Sequence, residues 1–384
     1  MNSFAAGLSE HPLATQAVGE VVGQVLDRLG PDAAPPDLAL LFLTAPHAGA
    51  MEDVAAAVRA TLRPATLLGC TAESVVGGAR EVEQRPAISL WAGHTGPVTP
   101  VQLSVERTPD GDALVGWAEG AGDDSAGLIL LADPFTFPAD AFLGHLSDDR
   151  PGLSVIGGLA SGANAPGGNR LVLDDQILSA GAVGAFLGPD ARFTTVVSQG
   201  CRPVGDPFVI TRAEGNIVYE LAGRPALERL QDLVRGLTDD ERQLLSTGVH
   251  LGRVIDESKT EFDRGDFLIR NVLGGDPQNG AIAVGDFVEV GSTAQFQVRD
   301  AASADEDLRQ LIEGRSAEGA LVFTCNGRGT RLFGRPDHDA EVVAEGFPGA
   351  AVAGMFCAGE LGPVGKRNFL HGFTASVALF GAPE

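Results

Sequence analysis

Short apolar runs alternate along the chain with glycine- and proline-rich polar stretches, and one arrangement of them recurs. Leu38–Leu43, Gly127–Ala132 and Ala320–Cys325 are continuous apolar runs of strand length, the pattern of strands buried on both faces. Each is followed by a short helical pattern: about Met51–Thr61, Ala139–Leu146, and a helix begun by His338–Glu341. A second apolar run then opens into a polar, glycine-rich loop: residues 65–73, Leu153–Gly158 and Ala350–Cys357. Closing strands are expected at Ala87–Trp91, Gly181–Leu187 and Thr374–Phe380. The chain therefore carries three imperfect strand–helix–strand–loop–strand units. They are too irregular and too far apart for a solenoid, and duplicated α+β units in layered sheets are the better reading.

Other patterns sit around these units. Val18, Val21, Val22, Val25, Leu26 and Leu29 have helical spacing, which predicts a helix over Ala14–Leu29 stopped by Gly30-Pro31. Val98–Arg107 and a helix near Asp112–Glu119 precede the second unit. Thr293–Arg299 and a helix near Asp305–Glu313, capped by Ser303 with Glu306, precede the third. This parallel suggests an N-terminal and a C-terminal half of related design. A helical pair, Ala226–Arg235 and Asp239–Ser246, bridges them, and strands follow at Val249–Ile255, Phe267–Val272 and Ala281–Val290. The expected fold is α+β, with two related halves of mixed, layered β-sheets flanked by helices. The expected divisions are a lead-in over 1–37, an N-terminal domain over 38–222, and a C-terminal domain over 223–384 with its bridge at 223–247.

Composition narrows the partners. The chain has 384 residues, 44% of them hydrophobic, and a formal net charge of -24, so it is a folded protein whose surface repels phosphate backbones and anionic lipid. Nucleic acid and membranes are poor partners. The N-terminus has no basic start and no long apolar core, which places the protein in the cytoplasm. Cys70, Cys201, Cys325 and Cys357 form neither a disulfide framework nor a CxxC site. No metal and no cofactor is expected.

The candidate chemistry concentrates in 319–381. Strand ends that open into glycine-rich loops are where such folds hold ligands. Asn326, Arg328, Glu360 and His371 are the polar groups these loops carry. The Cys325–Gly329 loop could offer backbone N–H groups and Arg328 to an anion, or be a tight turn; it lacks the Walker pattern, so nucleotide binding is not supported. Arg270 shares a strand face with Leu268 and Val272, and a charge among apolar neighbours needs an anionic partner: a ligand carboxylate or an internal Asp or Glu. Glu360 could meet a ligand ammonium, or serve as a solvated or capping carboxylate. Cys325, His371 and Glu360 are also the residue types of a thiol nucleophile, base and orienter, but a cysteine ending an apolar strand is commonly an inert small hydrophobe. His338–Glu341 is read as a helix cap and not a metal site.

Several strings in order resemble the FIST domain family, named from F-box and intracellular signal-transduction proteins. They are Leu68-Gly69-Cys70-Thr71-Ala72, Gln199-Gly200-Cys201-Arg202-Pro203, Gly265-Asp266-Phe267-Leu268-Ile269-Arg270, Cys325-Asn326-Gly327-Arg328-Gly329, and Gly359-Glu360-Leu361-Gly362-Pro363 through Leu370-His371-Gly372-Phe373-Thr374. The resemblance covers most of 38–381. It implies an intracellular sensory domain for small ligands such as amino acids or small carboxylates, here free-standing, with a signalling protein as a further partner. Arg270 and Arg328 would meet the anion, Glu360 the cation, and Asn326 and His371 would orient the ligand. The alternatives are a hydrolase or transferase using Cys325 or His371, and an adaptor that works through its surface without a ligand.

Overall fold

The computed structural model describes residues 3–381 apart from 109–110, 118–119, 121, 246–247 and 263. The fold is α+β with mixed sheets, and its contacts divide into two compact units. The first joins residues 1–198, 308–370 and 374–384; the second joins 199–307 and 371–373.

The first unit contains the three repeats, each in its own sheet. Leu38–Thr44 runs parallel to Thr66–Ala72 and antiparallel to Ile88–Gly93. Gly127–Ala132 makes the same pairings with Ser154–Leu159 and Ala182–Leu187, as does Gly319–Cys325 with Ala351–Cys357 and Thr374–Phe380. A helix connects the two parallel strands each time: Met51–Leu62, Ala139–Asp149 and His338–Gly346. Parallel neighbours require such a crossover.

After its second parallel strand each repeat sends a hairpin into another repeat's sheet. Ser74–Gly77 and Arg80–Glu83 extend the third sheet. Leu171–Leu173 and Gln176–Leu178 extend the first. Glu360–Val364 and Arg367–His371 extend the second. The exchange is cyclic, so no sheet is complete without a neighbouring repeat. Inward side chains of all three sheets, among them Phe42, Trp91, Ile129, Ile156, Phe323 and Met355, meet in one interior. The Trp91 indole N–H donates to the Ala351 carbonyl at 3.0 Å across that interior. Helices cover each outer face. Three equivalent glycines, Gly69, Gly157 and Gly354, sit beside Leu41, Leu130 and Val322 of the partner strand. A Cβ there would lie 1.9–2.5 Å from that residue's carbonyl oxygen, so the strand approach excludes any side chain.

The sequence reading of the flanking elements needs three corrections. The lead strand of the third repeat is Phe193–Gln199, which neighbours Thr374–Phe380, just as Phe4–Ser9 pairs with Ile88–Gly93 and Val98–Thr108 with Ala182–Leu187. Thr293–Arg299 belongs to the second unit, where it pairs with Val249–Val254. The helix expected near Asp112–Glu119 is instead a strand over Gly111–Val115, folded back on Val98–Thr108; residues 118–119 lie outside the described residues. A Pro-Asp-Gly turn signal at 109–111 outweighs the weak helical pattern there. The helix over Ala301–Ile312 is capped by Asp300, which accepts from the Ala302 and Ser303 amides, and not by Ser303.

The second unit is a closed barrel inserted between the third repeat's lead strand and that helix. Its strands run Thr293–Arg299, Phe208–Glu214, Ile217–Leu221, Ala281–Val284, Phe267–Asp276 and Val249–Val254, and the last pairs back with the first. Leu227, Leu230 and Leu233 of helix Ala226–Gly236 pack against its core. The kinship between the halves therefore lies in the repeats, and the barrel is an addition to the third.

Candidate functional site

The polar side chains at the third repeat's strand ends form a connected cluster. Cys325 and Cys357 end the two parallel strands at the same register. The chain then turns: the Asn326 amide donates to the Cys357 carbonyl at 3.0 Å, and the Arg328 amide to the Cys325 carbonyl at 2.8 Å. The Gly327 amide lies 3.4 Å from Cys325 Sγ. This tight loop swings Arg328 inward, where it is completely buried.

A buried guanidinium needs a counter-charge, and Asp339 supplies it. Arg328 Nε and Nη2 donate to the two Asp339 oxygens at 2.7 and 2.8 Å. Thr324 Oγ1 donates to Asp339 at 2.6 Å, and the His338 ring nitrogen lies 3.0 Å from it. Burial opposes ionisation of Asp339, but Arg328 more than offsets this and holds its carboxyl well below the usual range. Arg328, likewise opposed by burial, is raised by Asp339. The helix begun by His338 takes its cap from another repeat: Glu81 Oε1 accepts from the Asp339 and Ala340 amides at 2.9 and 3.1 Å. Burial and the neighbouring Asp339 charge push the Glu81 carboxyl up to about 8.

Glu360 opens a strand, paired in register with Gly158, where the sequence suggested a loop. It is completely buried. Its Oε2 accepts from the Thr374 amide and hydroxyl at 3.2 and 2.8 Å. Burial pushes its carboxyl up to about 8, against the opposing bonds from Thr374 and the Cys325 thiol and the charge of Arg328. A carboxyl raised this far is mainly protonated near neutral pH. Four polar atoms of this cluster are buried with no hydrogen-bond partner: Glu360 Oε1, Arg328 Nη1, Asn326 Oδ1 and Glu81 Oε2. Such atoms cost about 1–3 kcal/mol each when left unsatisfied; others of the kind, among them Gln199 Oε1, His250 Nδ1 and Gln297 Nε2, lie in the second unit, and this cluster differs from them in holding a buried ion pair and two raised acids.

Of the five sequence-nominated residues, Asn326, Arg328 and Glu360 come together here. Arg328 already has an internal carboxylate. Arg270 lies in the second unit, where its Nε donates to Asp286 at 2.8 Å. His371 is buried at the end of its strand and groups with the second unit. In that unit the Phe373 ring packs edge-on against His250, with centroids 4.4 Å apart. Sequence reasoning missed Glu81 and the role of Asp339. Nothing in the sequence showed that Arg328 is buried and so needs a carboxylate, and His338–Glu341 read as a helix cap; no local pattern pointed to Glu81, which arrives through the hairpin exchange. Among the described residues no group of three His, Cys, Asp or Glu side chains could hold a metal ion, and no helix is long and apolar enough to cross a membrane.

Comparison with known proteins agrees with this architecture. A FIST N domain model matches residues 37–224 and a FIST C domain model matches 226–363. The first match spans the first two repeats from Leu38 onward, the third repeat's lead strand and two barrel strands, and the second covers the other four barrel strands and much of the third repeat. The uncharacterized protein Rv0628c of Mycobacterium tuberculosis is 44% identical over 380 residues, covering 97% of this chain and 98% of its own. The uncharacterized protein Mb0898c of Mycobacterium bovis is 45% identical over 381 residues, covering 97% of each. The chain belongs to the FIST domain family, whose domains serve as sensory modules in signal transduction.

Proposed function

We propose that this protein is a cytoplasmic sensor that binds a small polar ligand, an amino acid or a small carboxylate, at the strand ends of the third repeat. One observation carries the reading: Glu360 Oε1, Arg328 Nη1 and Asn326 Oδ1 are buried and unpartnered within a single loop cluster. Arg328 Nη1 donates to the ligand's carboxylate while Asp339 holds the guanidinium in place. Asn326 orients the ligand and Glu360 meets its other polar group. Arg270, already held by Asp286, and His371 are assigned to the second unit's response to binding. Binding signals if the two conformations of the protein differ in affinity.

The test is a thermal-shift screen of purified protein against amino acids and small carboxylates between pH 6 and 9. A ligand at a hundredfold excess over its Kd stabilises by about 2.7 kcal/mol. Glu360 separates the ligand classes. An ammonium draws the proton off Glu360, so affinity rises with pH up to its pKa of about 8. A ligand that accepts the Glu360 O–H binds more weakly above that pH. No shift across the panel, with folded protein, counts against the reading.

A surface observation supports a second role. Val209, Leu273, Phe287 and Val290 of the barrel are exposed, Phe287 by 77%. Exposed apolar groups draw a partner where they join into a continuous patch, and Phe287, the most exposed, is the residue that tests this. Phe287→Asp should weaken binding of that partner and leave ligand-induced shifts intact.

A further inference from the structure

Cys325 and Cys357 occupy the same register on adjacent parallel strands. Alternation along the strands puts both on the interior face, with Phe323 and Met355. Neighbouring strands lie about 4.8 Å apart, within the Cα separation of about 4.4–6.8 Å that a disulfide spans. The two thiols differ in their surroundings. Cys357 is fully buried, and burial with the nearby Glu360 pushes its thiol well above the usual range. Cys325 is half-buried. It has a hydrogen-bond acceptor in Glu360, the Gly327 N–H facing its sulfur, and the Arg328 charge close by. Glu360 Oε1 and Arg328 Nη1, on completely buried side chains, remain unpartnered beside it. Gly158 faces Cys357 Sγ, where a Cβ would lie 2.3 Å away, so the absent side chain leaves the sulfur its space.

We propose that Cys325 and Cys357 form a hydroperoxide-reactive thiol pair, with Cys325 the attacking thiol and Cys357 the resolving one. Cys325 sulfur attacks the peroxide's terminal oxygen. The S–O bond forms, the O–O bond breaks, and the thiol proton passes through Glu360 to the leaving oxygen, which departs as alcohol or water. The sulfur loses two electrons and the peroxide gains them. Cys357 sulfur then attacks the sulfenic acid sulfur: the S–S bond forms, the S–O bond breaks, and the Cys357 proton leaves with that oxygen as water. The net change is two thiols and one hydroperoxide to one disulfide, one alcohol and one water. The buried Cys357 stays protonated, so the second step is the slower one. The disulfide removes the Cys325 S–H donor from Glu360 and so alters the cluster described above.

The test treats purified native protein with hydrogen peroxide, maps non-reduced peptides, and repeats the treatment on Cys325→Ser and Cys357→Ser with dimedone present. The expected result is a Cys325–Cys357 linked peptide in the wild type, none in Cys325→Ser, and dimedone on Cys325 in Cys357→Ser. Glu360→Gln, which cannot relay the proton, should slow dimedone labelling in the Cys357→Ser background roughly tenfold. Both Ser variants are near-isosteric, and melting curves taken beforehand check their fold. An absent linked peptide in the wild type overturns the pair, whether or not Cys325 is labelled. Unlabelled Cys325 in folded Cys357→Ser overturns its role as the attacking thiol.

Discussion

The second and third repeats put polar groups at the same place and treat them in opposite ways. Asp133 directly follows the second repeat's first strand, at the position equivalent to Cys325 in the third. Asp133 is fully buried, yet both its oxygens are bonded: Oδ1 accepts from Asn169 Nδ2 at 2.9 Å, and Oδ2 from Thr136 Oγ1 at 2.7 Å and the Phe135 amide at 3.2 Å. Thr71 and Ala160 complete that network through Asn169. In the third repeat the equivalent strand ends surround a charge pair, two raised acids and four buried atoms without partners. A fully satisfied network rigidifies a fold, whereas an unsatisfied one carries a cost that a ligand can relieve. One backbone thus holds a satisfied network in one repeat and an unsatisfied cluster in another.

The largest expected effect comes from splitting the buried pair. Asp339→Ala leaves Arg328 charged and alone, and urea unfolding should show a loss of about 3–5 kcal/mol. Replacing both residues by apolar ones of similar volume should cost far less. A loss under about 1 kcal/mol for Asp339→Ala would mean that Arg328 is not held as described.

Titration gives the next effect. The folded-state pKa of Glu360, about 8, lies above its ordinary value of 4.5. The folded protein therefore binds the extra proton between those values. Stability is highest at the acid end of that window, falls as pH rises from about 4.5 to 8, and then levels off. The fall is on the order of a few kcal/mol, shared with Glu81, whose carboxyl is also raised to about 8. Glu360→Gln should flatten part of the slope in a pH series of unfolding curves. An unchanged slope would show that Glu360 is ionised in the folded state at neutral pH.

A smaller effect tests the strand geometry common to all repeats. Gly354→Ala would place a Cβ 1.9 Å from the Val322 carbonyl oxygen and should destabilise by about 1–3 kcal/mol, as overpacking does. Thr374→Val, which removes one donor to Glu360 and keeps the shape, should cost about 1 kcal/mol.

Much of the repeat architecture was legible in the sequence. Gly127–Ala132 and Thr374–Phe380 occur as read, because continuous apolar runs of strand length have few other uses. The crossover helices of the repeats and the three-fold recurrence were legible too, and so was the strand–loop location of Asn326 and Arg328. The hairpin exchange was not, since nothing local in Ser74–Glu83 says which sheet it joins. That exchange brings Glu81 to Asp339, so half of the site's electrostatics depended on long-range pairing. The barrel insertion was hidden for a related reason. Thr293–Arg299 has a strand's pattern directly before a helix, and only pairing reveals that Phe193–Gln199 is the true equivalent.

The most direct test of the difference between the two strand ends is a matched thermal-shift measurement. Asn326→Ala and Glu360→Gln alter the third repeat's end, and Thr136→Val alters the second's. Each is compared with the wild type in the presence of the ligand found by screening. The account predicts that the ligand's stabilisation is lost in the first two variants and kept in Thr136→Val, whatever their melting temperatures without ligand. Full stabilisation of both Asn326→Ala and Glu360→Gln, or its loss in Thr136→Val alone, would contradict it.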